Sequence, residues 1–165
     1  MTSKTIKAVI LAYYRYKRGY FVATETNVSH GIADVVAVSK DLSISVEIEV
    51  KVSKSDLKNE WGNKGTKHSR LQDTANRYQL VPNYFYFAMP ASLYNDALQE
   101  SIDLNGHSSY GVMIVTDSYQ IEIVKQAKRL NKSKNDKFAH NLFLRATSEL
   151  VNSYVQSHTP HKRLY

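Results

Sequence analysis

The sequence predicts an α/β fold in which helices flank a mixed central β-sheet. Three observations point there. Apolar residues recur at helical spacing near both ends of the chain. Short runs rich in β-branched and aromatic residues lie between the helical stretches. The order of elements is helix, three strands, helix, strand, and then helix, two strands, helix, which suits one sheet covered by helices. With 165 residues, 42% of them hydrophobic and 22% charged, the chain is sized for one domain, expected over residues 1–156 with a flexible tail at 157–165.

Each element has its own signal. In residues 4–18, Ile6, Val9, Ile10, Tyr13 and Tyr14 fall at helical spacing, and Gly19 follows as a stop. Residues 20–26 read as a strand, 27–31 as a turn, 33–38 as a second strand, 40–41 as a tight turn and 43–52 as a third strand. Ser53 can cap a helix through Leu57 and Trp61, which Gly62 and Gly65 interrupt, and residues 66–80 resume helical spacing. Residues 84–88 form a short buried strand closed by Pro90, and 91–104 a helix. Strands at 112–115 and 120–124 flank Asp117-Ser118. The last helix, 134–156, carries the stripe Phe138, Leu142, Ala146, Leu150 and Tyr154.

Composition narrows the function. Cysteine is absent, which removes disulfides, thiolate metal sites and cysteine nucleophiles. No apolar run approaches the roughly 18 residues of a membrane span, and the N-terminus does not read as a secretory signal. A cytoplasmic protein without membrane contact is expected. The net charge of +7 favours a polyanionic partner. Lys4, Lys7, Arg15, Lys17 and Arg18 fall in one acid-free segment, and six lysines and arginines fall between residues 125 and 137 against Asp136. Each cluster alone is an ordinary solvated face.

The most informative stretch is Gly31-Ile32-Ala33-Asp34, followed fifteen residues after Asp34 by Glu49, within Glu47-Ile48-Glu49-Val50-Lys51. Side chains alternate along a strand, so Glu49 and Lys51 share a face, and Asp34 can join them if the two strands are hairpin neighbours. Val46, Ile48, Val50 and Val52 would then pack on a helix, with the acids at an open edge. Two carboxylates and an amine suit a divalent metal held beside a phosphate. Asp34 and Glu49 would bind Mg²⁺, with Mn²⁺ as a substitute, and the Val50 carbonyl would add a third oxygen. Lys51 would orient or help activate an attacking water and stabilise developing negative charge.

Gly31-x-x-Asp34 followed by Glu49-x-Lys51, after an N-terminal helix, resembles the PD-(D/E)XK (restriction-endonuclease-like) nuclease superfamily over residues 4–88, with Ala33 where the motif has proline. Ser53-x-x-Asp56-Leu57, the run from Tyr84 to Pro90, the run from Gly111 to Asp117 and Phe143-Leu144-Arg145-Ala146 are similar to the MmcB-like DNA-repair-associated group. The resemblance implies an αβββαβ core with a C-terminal ββα extension. It also implies a metal-dependent deoxyribonuclease acting on duplex or branched DNA in repair, recombination or mobile-element processing. The alternative is a nucleic-acid-binding protein that keeps the fold without the chemistry. Two-strand cutting would suit a homodimer.

Glu25 is a candidate auxiliary acid, equally readable as an ordinary strand residue. Glu47 reads as a surface residue. Lys54, Lys58, Lys64, Lys67 and Arg70 are candidate contacts to the DNA backbone. His68 reads as a surface histidine, His30 as a weak candidate beside the turn, and Trp61 as a packing residue.

Overall fold

The structure, a computed structural model, describes residues 1–28, 31–63, 65–72, 81–105, 108–132, 134 and 136–158. Helix α1 (Ser3–Ala12) starts at Thr2, whose hydroxyl accepts from the Thr5 N–H, and runs into a π-helical turn at Tyr13–Lys17. Gly19, at φ +69°, ends it, as a left-handed position favours. Strands β1 (Phe21–Val28), β2 (Gly31–Val38) and β3 (Ser45–Val50) follow. Then come helices α2 (Lys54–Asn63) and α3 (Gly65–Leu71), strand β4 (Tyr84–Pro90), helix α4 (Asp96–Asn105), strands β5 (Gly111–Val115) and β6 (Ile121–Lys125), and helix α5 (Asp136–His158).

The six strands form one sheet in sequence order. The first three pair antiparallel, β3–β4 and β4–β5 pair parallel, and β5–β6 pair antiparallel. Helix α1 covers one face, where Ile6 and Ile10 pack on Val35, Ile48, Val50 and Ala88. On the opposite face Leu57 of α2, Leu71 of α3 and Ile102 of α4 pack on Phe85 and Phe87, while Phe138 and Leu142 of α5 pack on Ala23, Val36 and Val38. The mixed sheet flanked by helices is therefore as expected.

Several local expectations change. Gly62 lies inside α2 and does not interrupt it, while Gly65 opens α3. Residues 91–93 form a 3₁₀ turn, so α4 starts only at Asp96. The third strand ends at Val50, and Val52 is exposed. The α5 stripe is buried only in its first half. Phe138 and Leu142 are in the core, but Leu150 and Tyr154 are 71% and 66% exposed, because the sheet does not extend beneath them. Of the expected tail, residues 159–165 lie outside the described residues.

Strand alternation also slips at one point. Ala23 and Val28 of β1, and Ala33 and Val36 of β2, pack in the same cluster, although an unbroken strand puts residues an odd number apart on opposite faces. The slip falls at Glu25 and Asp34, which lie opposite each other between the pairs Thr24↔Val35 and Thr26↔Ala33. Glu25 has φ +48°, a strained region for a residue with a side chain.

Candidate active site: two linked clusters of acids and lysines

The paired segment of β2 and β3 ends at Val35↔Ile48, and the next residues outward are Asp34 and Glu49. Asp34 accepts from the Val50 N–H through Oδ2 at 2.8 Å. That bond ties the acid of β2 to the last residue of β3, between Glu49 and Lys51. Asp34 Oδ1 lies 2.7 Å from Lys7 Nζ, and the same ammonium binds Glu25. Lys7, Glu25 and Asp34 therefore form one cluster, delivered by α1, β1 and β2. Lys7 is held above its usual pKa: burial pulls it down, but the bonds to Asp34 and Glu25 outweigh that.

The second cluster lies under α2 and α3. Glu47 and Glu49 share the β3 face that carries Phe85 and Phe87 on the neighbouring strand. Lys51 Nζ is 3.0 Å from Glu49 Oε1 and 2.7 Å from Glu60 Oε2. Lys67 Nζ is 2.7 Å from Glu49 Oε2 and 3.2 Å from Glu47 Oε1. His68 Nε2 lies 3.3 Å from Glu60, and its Nδ1 is 3.1 Å from the Tyr110 hydroxyl. The Lys67 ammonium also sits 4.9 Å from the centre of the Phe85 ring. Burial favours the neutral forms of Lys51 and Lys67, yet the surrounding glutamates raise both above the usual lysine value. Burial likewise pushes Glu60 up, but the His68 contact and the charges of Lys67 and Lys51 hold it well below the carboxylate range.

Local structure explains these positions. Ser53 Oγ accepts from the Asp56 N–H, and Asp56 accepts from the Val52 N–H, a reciprocal cap that starts α2 directly after Lys51. Asp56 and Glu60, four apart, then share the helix face turned to Lys51, with Asp56 Oδ1 at 3.7 Å.

The sequence placed Glu49 and Lys51 on one face, and they touch. It placed the acids at an open edge, whereas Glu47 and Glu49 are 0% and 3% exposed, because α2 and α3 cover that face. Lys67, expected on the DNA backbone, is 4% exposed and bound to glutamates, and His68, expected at the surface, is also buried. Glu47 is likewise in the interior. Lys54 and Lys58 are exposed and Arg70 is half-buried. Lys64 and His30 lie outside the described residues. Trp61 packs on His68 and Phe87, with ring centres 4.9 and 5.5 Å away.

Sequence reasoning missed Lys7 and Glu60. Lys7 could have been found from its spacing of three to Ile10 of α1 and seven to Tyr14 of the π-helical turn, both buried. Glu60 could have been found from its spacing to Asp56.

Among the described residues no three His, Asp or Glu side chains form a ready-made metal site. The donor chemistry still suits a hard cation that uses one or two carboxylates and keeps its waters. The Lys7 ammonium already rests between Glu25 and Asp34, so positive charge is accommodated there. Both oxygens of Asp34 and both of Glu49 carry N–H partners, so a metal would enter by exchange with an ammonium group.

This chain shares its fold with a protein of unknown function from Silicibacter pomeroyi. The match has a TM-score of 0.68 at 15% identity and covers 100% of this chain and 98% of that one. A repair endonuclease from Pyrococcus abyssi overlaps 65% of this chain and 45% of its own length, with 18% identity and a TM-score of 0.38, too low to establish a common fold. No family model and no curated protein matches the sequence. No helix among the described residues is long and apolar enough to cross a membrane.

Proposed function

We propose that the protein is a metal-dependent nuclease of restriction-endonuclease-like fold that hydrolyses phosphodiester bonds in DNA. One observation carries the reading: the bond from the Val50 N–H to Asp34, which ties the β2 acid to the end of β3, next to Lys51 and its contact with Glu49. Asp34, Glu49 and the Val50 carbonyl would hold Mg²⁺ or Mn²⁺, with Glu25 as an auxiliary acid. When bound, such an ion neutralises charge on the phosphate and acidifies water. Lys51, with its pKa raised, is an ammonium at neutral pH, so it serves as a donor that orients water and stabilises developing charge rather than as a base. Glu60 and Glu49 fix its position from two sides. Exposed Lys54 and Lys58 on α2 would meet the DNA backbone.

A second reading has its own support. Because every oxygen of Asp34 and Glu49 is engaged by an N–H donor, the acids can serve as purely structural counter-charges in a nucleic-acid-binding protein. The test is incubation with labelled duplex, forked, junction and single-stranded DNA, with Mg²⁺, Mn²⁺ or chelator. Nuclease action predicts cleavage that chelator stops and that Asp34→Ala or Lys51→Ala lowers by about a hundredfold or more. Salt-sensitive binding without cleavage in any metal leaves the second reading.

A further inference from the structure

Helix α2 has two working faces. Asp56 and Glu60 point to Lys51, while Lys54, Leu57, Lys58 and Trp61 line a cavity of about 730 Å³ closed on its other side by α4. That volume falls in the range of ligand sites and far exceeds a gap for one water. Its floor is apolar, from Leu57 and Leu98, and its rim is polar, from Asn95, Ser101 and Asn105. The charged residues lining it are both lysines, and neither has an acidic partner among the described residues. Trp61 adds an aromatic ring.

We propose that this cavity binds one unpaired nucleotide, its base against Trp61 over the apolar floor and its phosphate on Lys54 and Lys58. The chemistry fits each part. A flat base stacks on an aromatic ring, the phosphate needs cations without competing carboxylates, and the amide and hydroxyl rim offers partners to base edges. An unpaired nucleotide is singled out because the bases of an intact duplex are stacked and closed to side chains. The proposal rests on the nucleic-acid part of the functional reading and not on catalysis. It deepens that reading by naming the substrate class: DNA with a single-stranded, frayed or extruded position. The cavity and Lys51 lie on two sides of one helix, about 10–12 Å across with its side chains, so a base held here would place the adjoining strand beside the acids and lysines.

Trp61 is the chain's single tryptophan, so tryptophan fluorescence comes from this one position. Titrations are run in chelator, where DNA stays intact, with deoxynucleoside monophosphates, a short single-stranded oligonucleotide, and a strand of equal length made of abasic sites. The expected result is saturable quenching by the ordinary oligonucleotide and about tenfold weaker binding of the abasic strand. Quenching by the monophosphates as well would identify the free nucleotide as a second source of the ligand. Lys58→Glu should weaken oligonucleotide binding about tenfold or more. Ser101→Phe, at a half-buried position, should fill the cavity and remove the quenching while circular dichroism stays unchanged. Equal quenching by ordinary and abasic strands, normal binding by a folded Ser101→Phe variant, or no response to any nucleotide would overturn the proposal. Failure of the nuclease reading shows up separately, as absent cleavage with metal while quenching persists.

Discussion

Lys67 is the side chain on which the interior acids most depend. It touches Glu47, Glu49 and Glu60 and is 4% exposed. Removing one partner of a buried charge cluster strands the others in a medium that solvates them poorly. Lys67→Met is therefore expected to lower stability by about 3–5 kcal/mol, read from urea denaturation. Lys7→Met removes a more accessible ammonium, and its expected cost is at most about 1 kcal/mol. Glu60 gives the pH dependence. Its carboxyl is depressed in the fold, so its contribution is full above the ordinary value of 4.5 and declines as pH falls through and below it. The urea midpoint should drop on acidification below that value. Glu60→Gln should be less stable at neutral pH but show a shallower acid decline. A steeper decline in the variant would assign the acid sensitivity to other groups. The Glu49–Lys51 contact was legible in the sequence because strand alternation admits one answer. The Lys67 and Glu60 contacts were not, because they depend on how α2 and α3 fold back over the sheet.

At the scale of elements, β5 shows how closely two strands can be fitted. A Cβ on Gly111 would lie 2.2 Å from the Tyr86 ring and 2.8 Å from the Ala127 nitrogen. The ring is itself anchored, through its hydroxyl, to Gln126 and to the Ala127 N–H. Gly111→Ala is expected to cost about 1–3 kcal/mol or more, with a matching fall in the urea midpoint. Unchanged stability would mean that the Tyr86 ring has another place to go. The strands were readable because β-branched and aromatic runs bounded by turn residues are distinctive. Helix ends were less so. Asn95 Oδ1 accepts the Leu98 N–H and sets the start of α4, yet Ala91 to Leu93 offered no signal against an earlier start. The slip in alternation at Glu25 was invisible, because a left-handed glutamate has no sequence signature and Gly or Asn would have been expected there.

Over the whole molecule, the sheet order follows the chain order, and the helices divide unequally: α1 alone on one face, α2 to α5 on the other. The element order in the sequence already implied a mixed sheet. It did not say which face each helix would take, and that choice is what covered Glu47 and Glu49. Part of the basic surplus is locally compensated, since Lys125 pairs with Asp103 and Lys134 with Asp136. Among the described residues, exposed Lys54 and Lys58 of α2, like exposed Lys4, Arg15, Lys17 and Arg18 near the N-terminus, have no acidic partner, so both regions can attract a polyanion.

The acids of β1 and β2 and those of β3 bring their own cations with them, Lys7 for one group and Lys51 with Lys67 for the other. A zinc finger collapses when stripped of its ion, because nothing else balances its ligands. Here the balancing charges are covalently part of the polypeptide. Exhaustive dialysis against EDTA should therefore leave the melting temperature where it was, and a marked drop would reveal an ion that the lysines do not replace.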